Sequence, residues 1–100
     1  MIVVRDIFRL RFGQSKGATA LWKQALVELK KAAPNGNFRL LTDLAGPAYY
    51  TIVLEGTHES LGAWEELHKA AGKQAKWKEI YAKIVALTED GRREILSVVE

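Results

Sequence analysis

Asp6 and His68 are the residues of this 100-residue chain best suited to moving a proton. Asp6 sits in Ile2-Val3-Val4-Arg5-Asp6-Ile7-Phe8-Arg9-Leu10, on the side of the alternation that otherwise carries Val4, Phe8 and Leu10. A carboxylate on an apolar strand face is paired, protonated or at the lip of a cavity, and each state changes its proton affinity. His68 follows Trp64 by one helical turn, so the two rings share a face. An imidazole there can act as a base or donate a hydrogen bond near neutral pH. Thr42 and Tyr50 fall on the same sheet faces as the apolar residues around them. The expected site has Asp6 and His68 as catalytic handles and Thr42, Tyr50 and Trp64 as ligand-binding walls. The structural alternatives are an edge aspartate bonded to a basic side chain or a helix end, and an aromatic pair that fills the core.

Other chemistries are excluded by residue type or spacing. The chain has no cysteine, so it offers no disulfide, thiol nucleophile or thiolate zinc ligand. His58-Glu59 would need a second histidine at position 62 to hold a metal, and that residue is Gly62. No metal is expected. Glu65 and Glu66 are adjacent and splay apart on a helix. Gly13-Gln14-Ser15-Lys16-Gly17 lies where a phosphate could sit but lacks the order and length of a phosphate loop, so it reads as a strand-to-helix turn.

The positions around these residues define the elements. Ile2 to Phe12 alternate as a strand, ended by Gly13, with Ser15 placed to cap a helix. Ala18, Leu21, Trp22, Ala25, Leu26, Leu29, Ala32 and Ala33 form one helical face. Pro34-Asn35-Gly36-Asn37 is a stop. Phe38–Leu44 and Ala48–Glu55 read as a hairpin of two strands, closed by Gly56 and Thr57. A long helical run starts near Ser60, with Gly72 marking a kink or a break into two helices. Asp90-Gly91 reads as a turn before a last strand, Arg93–Val99.

The order β-α-β-β-α-β predicts an α+β, ferredoxin-like fold: one antiparallel four-stranded sheet with its first and third strands central and both helices on one face. Residues 1–100 form a single domain. The other sheet face would hold Arg5, Ile7, Arg9, Arg39, Leu41, Asp43, Tyr49, Thr51, Val53, Glu55, Ile95 and Val99. About half of that set is apolar, which predicts a second layer, most simply another copy of the chain. The arginines there would pair with Asp43 and Glu55.

With 48% apolar and 27% charged residues and a net charge of +3, the composition is that of an ordinary globular chain. The apolar run at the start, Met1 to Val4, is too short for a signal or a membrane span, so a cytoplasmic location is expected. Tyr49 and the arginines of the open face suggest an RNA-recognition surface, but the first strand offers Arg5 and Ile7 where a stacking aromatic is needed, so nucleic acid is not the expected partner.

Three stretches resemble the NIPSNAP-like branch of the dimeric α/β-barrel superfamily, which also holds antibiotic-biosynthesis and haem-degrading monooxygenases. They are Leu10-Arg11-Phe12-Gly13, the approach Glu55 to Glu59-Ser60-Leu61, and Trp77-Lys78-Glu79-Ile80-Tyr81-Ala82-Lys83-Ile84-Val85-Ala86-Leu87. The resemblance implies a homodimer with back-to-back sheets and, in enzymatic members, a pocket between sheet and helices. In haem-degrading members a functional asparagine occupies the position held here by Asp6. Their haem-binding histidine would fall near Gly72 or Gln74, so haem, or any other cofactor, is not expected. The expected function is binding of a small hydrophobic or aromatic molecule, with cofactor-independent monooxygenase chemistry as its enzymatic form. The contrasting expectation is a non-enzymatic interaction module that works through its dimer surface.

Overall fold

A computed structural model describes residues 1–100 as seven elements. In chain order they are β1 (Ile2–Leu10), α1 (Ser15–Ala32), β2 (Asn37–Thr42), β3 (Thr51–His58), α2 (Leu61–Gly72), α3 (Ala75–Ala86) and β4 (Thr88–Ser97). The strands form one antiparallel sheet in the order β2-β3-β1-β4, with the expected central pair. This is the ferredoxin-like α+β arrangement. No helix is long and apolar enough to cross a membrane.

α1 exists because Ala18, Trp22, Ala25 and Leu29 recur at helical spacing and bury one stripe. Lys30 and Lys31 in its last turn suit the negative end of the helix dipole. Its cap differs from expectation. Gln14 holds the cap position without a side-chain bond, and Ser15 lies inside the first turn, where its carbonyl accepts from the Thr19 hydroxyl. Ser60 does cap α2, its hydroxyl accepting from the Ala63 N–H at 3.1 Å. The long helical run breaks at Gly72: α2 ends there and α3 starts at Ala75.

The core gathers at one end of the sheet. Leu10 and Ile52 from the strands meet Ala18, Trp22 and Ala25 of α1 and Ile80 and Ile84 of α3. All seven are buried. At roughly 25 cal/mol per Å² of apolar surface, burying side chains of this size supplies most of the cohesion between the layers. By contrast, α2 buries only Ala71. Thus α1 and α3 are anchored to the sheet, while α2 arches over its other end.

Several strand limits differ from the sequence reading, each for a reason of pairing. β2 stops at Thr42 because Asp43 turns inward and its Oδ1 accepts the Thr51 N–H at 2.7 Å. Asp43 is therefore not an arginine partner. β3 starts at Thr51 and runs on through Gly56 and Thr57 to His58, since β1 offers partners along that whole length, Ile2 opposite His58. Asp90-Gly91 is not a turn. β4 begins at Thr88 and pairs with β1 throughout, Gly91 opposite Phe8, with an irregularity between Arg9 and Leu10. Ile95 lies opposite Val4 and so shares the helix-covered face, not the open one. Leu96, opposite Val3, takes the open-face position instead, and Val99 lies past the strand.

Gly91 is required by packing. A Cβ added there would lie 2.8 Å from the Phe8 ring, and that ring is held from behind by stacking on Trp22 at 5.2 Å. Gly91→Ala should therefore destabilise the fold by about 1–3 kcal/mol. Gly46→Ala, where nothing lies within 4 Å of the new atom, should stay within about 0.5 kcal/mol of the parent. Urea denaturation of the two variants checks this pair.

Candidate functional site

Between the arch of α2 and the sheet lies a cavity of about 270 Å³. An engineered apolar cavity of about 150 Å³ accepts benzene, so this space suits a molecule of one or two rings. Its floor is the helix-covered face of β1 and β3, through Val4, Asp6, Phe8, Leu54, Gly56 and His58. Its roof is Trp64, Leu67, His68 and Ala71 of α2, with Trp77 and Tyr81 of α3 at the rear. The walls interlock as aromatic pairs. Trp22 meets Tyr81 edge to face at 6.4 Å, Tyr81 stacks on Trp77 at 5.9 Å, and Phe38 meets His58 at 5.7 Å. Such pairs favour offset-stacked or edge-to-face geometry, which shapes the walls.

The charged groups of the lining are paired with each other. Asp6 on β1 faces Arg93, its direct partner on β4, and Arg93 Nε donates to Asp6 Oδ1 at 2.5 Å. The same guanidinium lies over the Trp64 ring, 4.9 Å from its centre. A cross-strand ion pair is thus clamped under an α2 aromatic. The Trp64 and His68 rings share a helix face, as their spacing predicts, 5.3 Å apart and tilted by 31°. His58 is half-buried, and burial lowers its pKa below the ordinary value because the cation loses hydration. The indole N–H of Trp22 is buried and has no partner.

Of the five residues read from the sequence as a site, Asp6, Trp64 and His68 line this cavity. Thr42 and Tyr50 do not. Both lie at the other end of the sheet, beside the core: Thr42 opposite Ile52 on the edge strand, and Tyr50 with its carbonyl accepting the Leu10 N–H. Tyr50 holds a positive φ of 58° and packs its ring on Phe12 instead, at 4.9 Å. Sequence reasoning missed His58 and Arg93. Alternation pointed to His58, which continues the face of Ile52, Leu54 and Gly56, had the strand been carried past Gly56. For Arg93 no local signal existed, because its face depends on where β4 pairs with β1.

The open face of the sheet is organised around Glu55. Its side chain is only 9% exposed, though no helix covers it. Arg5 and Arg39, its direct partners on either side, close over it. Arg5 Nε donates to Oε1 at 2.9 Å and Arg39 Nε to Oε2. The hydrogen bond from Arg39, then that from Arg5, holds the Glu55 pKa below the ordinary carboxylate value, against the opposing effect of burial. The cover is thin, since the two arginine side chains are 40% and 65% exposed, so water still screens the pair strongly. Around it lie Ile7, Val53 and the exposed Leu41 and Leu96.

The sequence matches no protein-family model and no curated protein. The fold does match solved structures. A NIPSNAP family protein from Agrobacterium tumefaciens str. C58 superposes with a TM-score of 0.88 at 18% identity, over 99% of this chain and 93% of that one. An uncharacterised NIPSNAP domain protein from Burkholderia xenovorans gives 0.87 at 14% identity, over 99% and 95%. An antibiotic biosynthesis monooxygenase gives 0.76 at 14% identity, over the whole of both chains. The chain therefore has the ferredoxin-like fold of the NIPSNAP and antibiotic biosynthesis monooxygenase structures.

Two titrations should appear in a curve of stability against pH. His58 has a lowered folded pKa, so stability should begin to fall as pH drops below about 6.5 and level off once the folded-state pKa is passed. Glu55 also has a lowered folded pKa, so its contribution is present above about 4.3 and is lost as pH falls through the folded-state value. Chemical denaturation at stepped pH should show His58→Gln flattening the upper limb only. Glu55→Gln should flatten the lower limb and cost about 1 kcal/mol at neutral pH.

Proposed function

We propose that this protein is a cytoplasmic homodimer that binds a small aromatic molecule in the cavity under α2. The observation that carries this reading is the cavity itself: aromatic walls with a few polar groups among them. Asp6 and Arg93 pair across β1 and β4 on the floor, His58 lies farther along β3, and His68 reaches in from α2. A filled core with a working surface elsewhere would leave no such space, which weighs against the interaction module.

The dimer would form through the open sheet face. Its exposed apolar side chains, set around the Arg5–Glu55–Arg39 cluster, suit a flat self-complementary contact. Leu41→Glu should then give a monomer by light scattering, with the parent at twice that mass. A parent that stays monomeric at high concentration rules the dimer out.

The likeness of fold to an antibiotic biosynthesis monooxygenase favours an oxygenase step as the enzymatic form of the same site. Without a cofactor the electrons that reduce oxygen come from the organic molecule, so the candidate substrates are electron-rich phenols. Oxygen uptake that depends on both protein and phenol is the expected result, and none with any binder confines the protein to binding.

Thermal-shift screening of one- and two-ring aromatics tests the site. A ligand at ten times its Kd adds about 1.4 kcal/mol of stability, several degrees for a domain of this size. Trp64→Ala should abolish the shift, and His68→Ala and Asp6→Asn should reduce it. Hits that shift all three variants as much as the parent would place binding elsewhere.

A further inference from the structure

We propose that the ligand taken by this cavity is an aromatic carboxylate, its acid group held by the terminal amino groups of Arg93 and its ring inside. This rests on reading the cavity as a binding site. Arg93 is fixed from two sides, by Asp6 at Nε and by the Trp64 ring beneath the guanidinium. Its one hydrogen bond to the protein uses Nε. A guanidinium carries five N–H groups, so the edge formed by its two terminal amines remains uncommitted, in the fork geometry that matches a carboxylate. Asp6 therefore orients the cation without occupying the edge a ligand would use.

The balance of hydrogen-bonding capacity points the same way. Arg93 and Asp6 are the charged residues of the lining, and its other titratable groups are His58, His68 and Tyr81. The free groups on Arg93 are all donors. A ligand that brings acceptors fits that edge better than one that brings donors. Exposure decides which end enters. The Arg93 side chain is 40% exposed, while Trp22 is buried at the rear. A carboxylate at Arg93 keeps part of its hydration, and the ring behind it meets Phe8, Trp22 and Trp77.

The test compares 2-naphthoate with 2-naphthamide, near-isosteres that differ in charge, by calorimetric titration of the full chain. The parent should bind the acid roughly ten- to a hundredfold more tightly than the amide, the usual range for a charge-assisted hydrogen bond. In Arg93→Gln the acid should fall to the level of the amide, with amide affinity within about threefold of the parent. Arg93→Lys, which keeps the charge and loses the fork, should lie between. Equal affinity of the parent for the two probes overturns the proposal and leaves aromatic binding standing. A preference that survives in folded Arg93→Gln also overturns it, since another group would then hold the acid. If neither probe binds at millimolar concentration, this proposal and the reading of the cavity fall together.

Discussion

Trp22 governs how the two layers of this protein meet. Its ring stacks on Phe8 of the central strand and meets Tyr81 of α3 edge to face, so one buried side chain ties sheet, α1 and α3 together. Leu10, Ile52, Ile80 and Ile84 complete the contact. Because this cluster lies toward one end of the sheet, the layers are closed there and apart at the other. A packed core tolerates few voids of its own, so a space of this size arises beside the core rather than within it.

The break after Gly72 is what allows both arrangements at once. A single straight helix from Ser60 to Ala86 could follow the sheet at only one height. Split into two, the chain lays α3 against α1 and leaves α2 with Ala71 as its sole buried residue. Segments with few buried contacts open at low free energy. α2 is therefore the roof over the cavity and the least firmly anchored of the three helices.

The two faces of β1 handle charge in different ways. On the covered face a single carboxylate, Asp6, is matched by a single guanidinium that a tryptophan ring holds in place. On the open face Glu55 is gripped by two arginines, and Arg9 is paired with Glu89. The first arrangement leaves the terminal amines of Arg93 without a protein partner, at a residue that lines the cavity. The second sets two guanidinium groups on one carboxylate, on a face that also carries apolar side chains.

What the sequence determined by itself is the identity and order of the elements. Period-two alternation from Ile2, helical spacing through Trp22 and Leu29, the Ser60 cap and the weak point at Gly72 are local signals, and local signals suffice for the α+β topology. They also placed Asp6, Trp64 and His68 on inward faces. The tertiary structure alone decided which end of the sheet is hollow, and so separated Thr42 and Tyr50 from that group. It decided too that Asp90-Gly91 belongs to a strand, which brings Arg93 opposite Asp6 and turns Ile95 toward the helices. The physical reason is that a strand's face changes with every residue, so a side chain's direction is settled only by the register with its neighbour, a property of two segments some 87 residues apart in the case of Asp6 and Arg93.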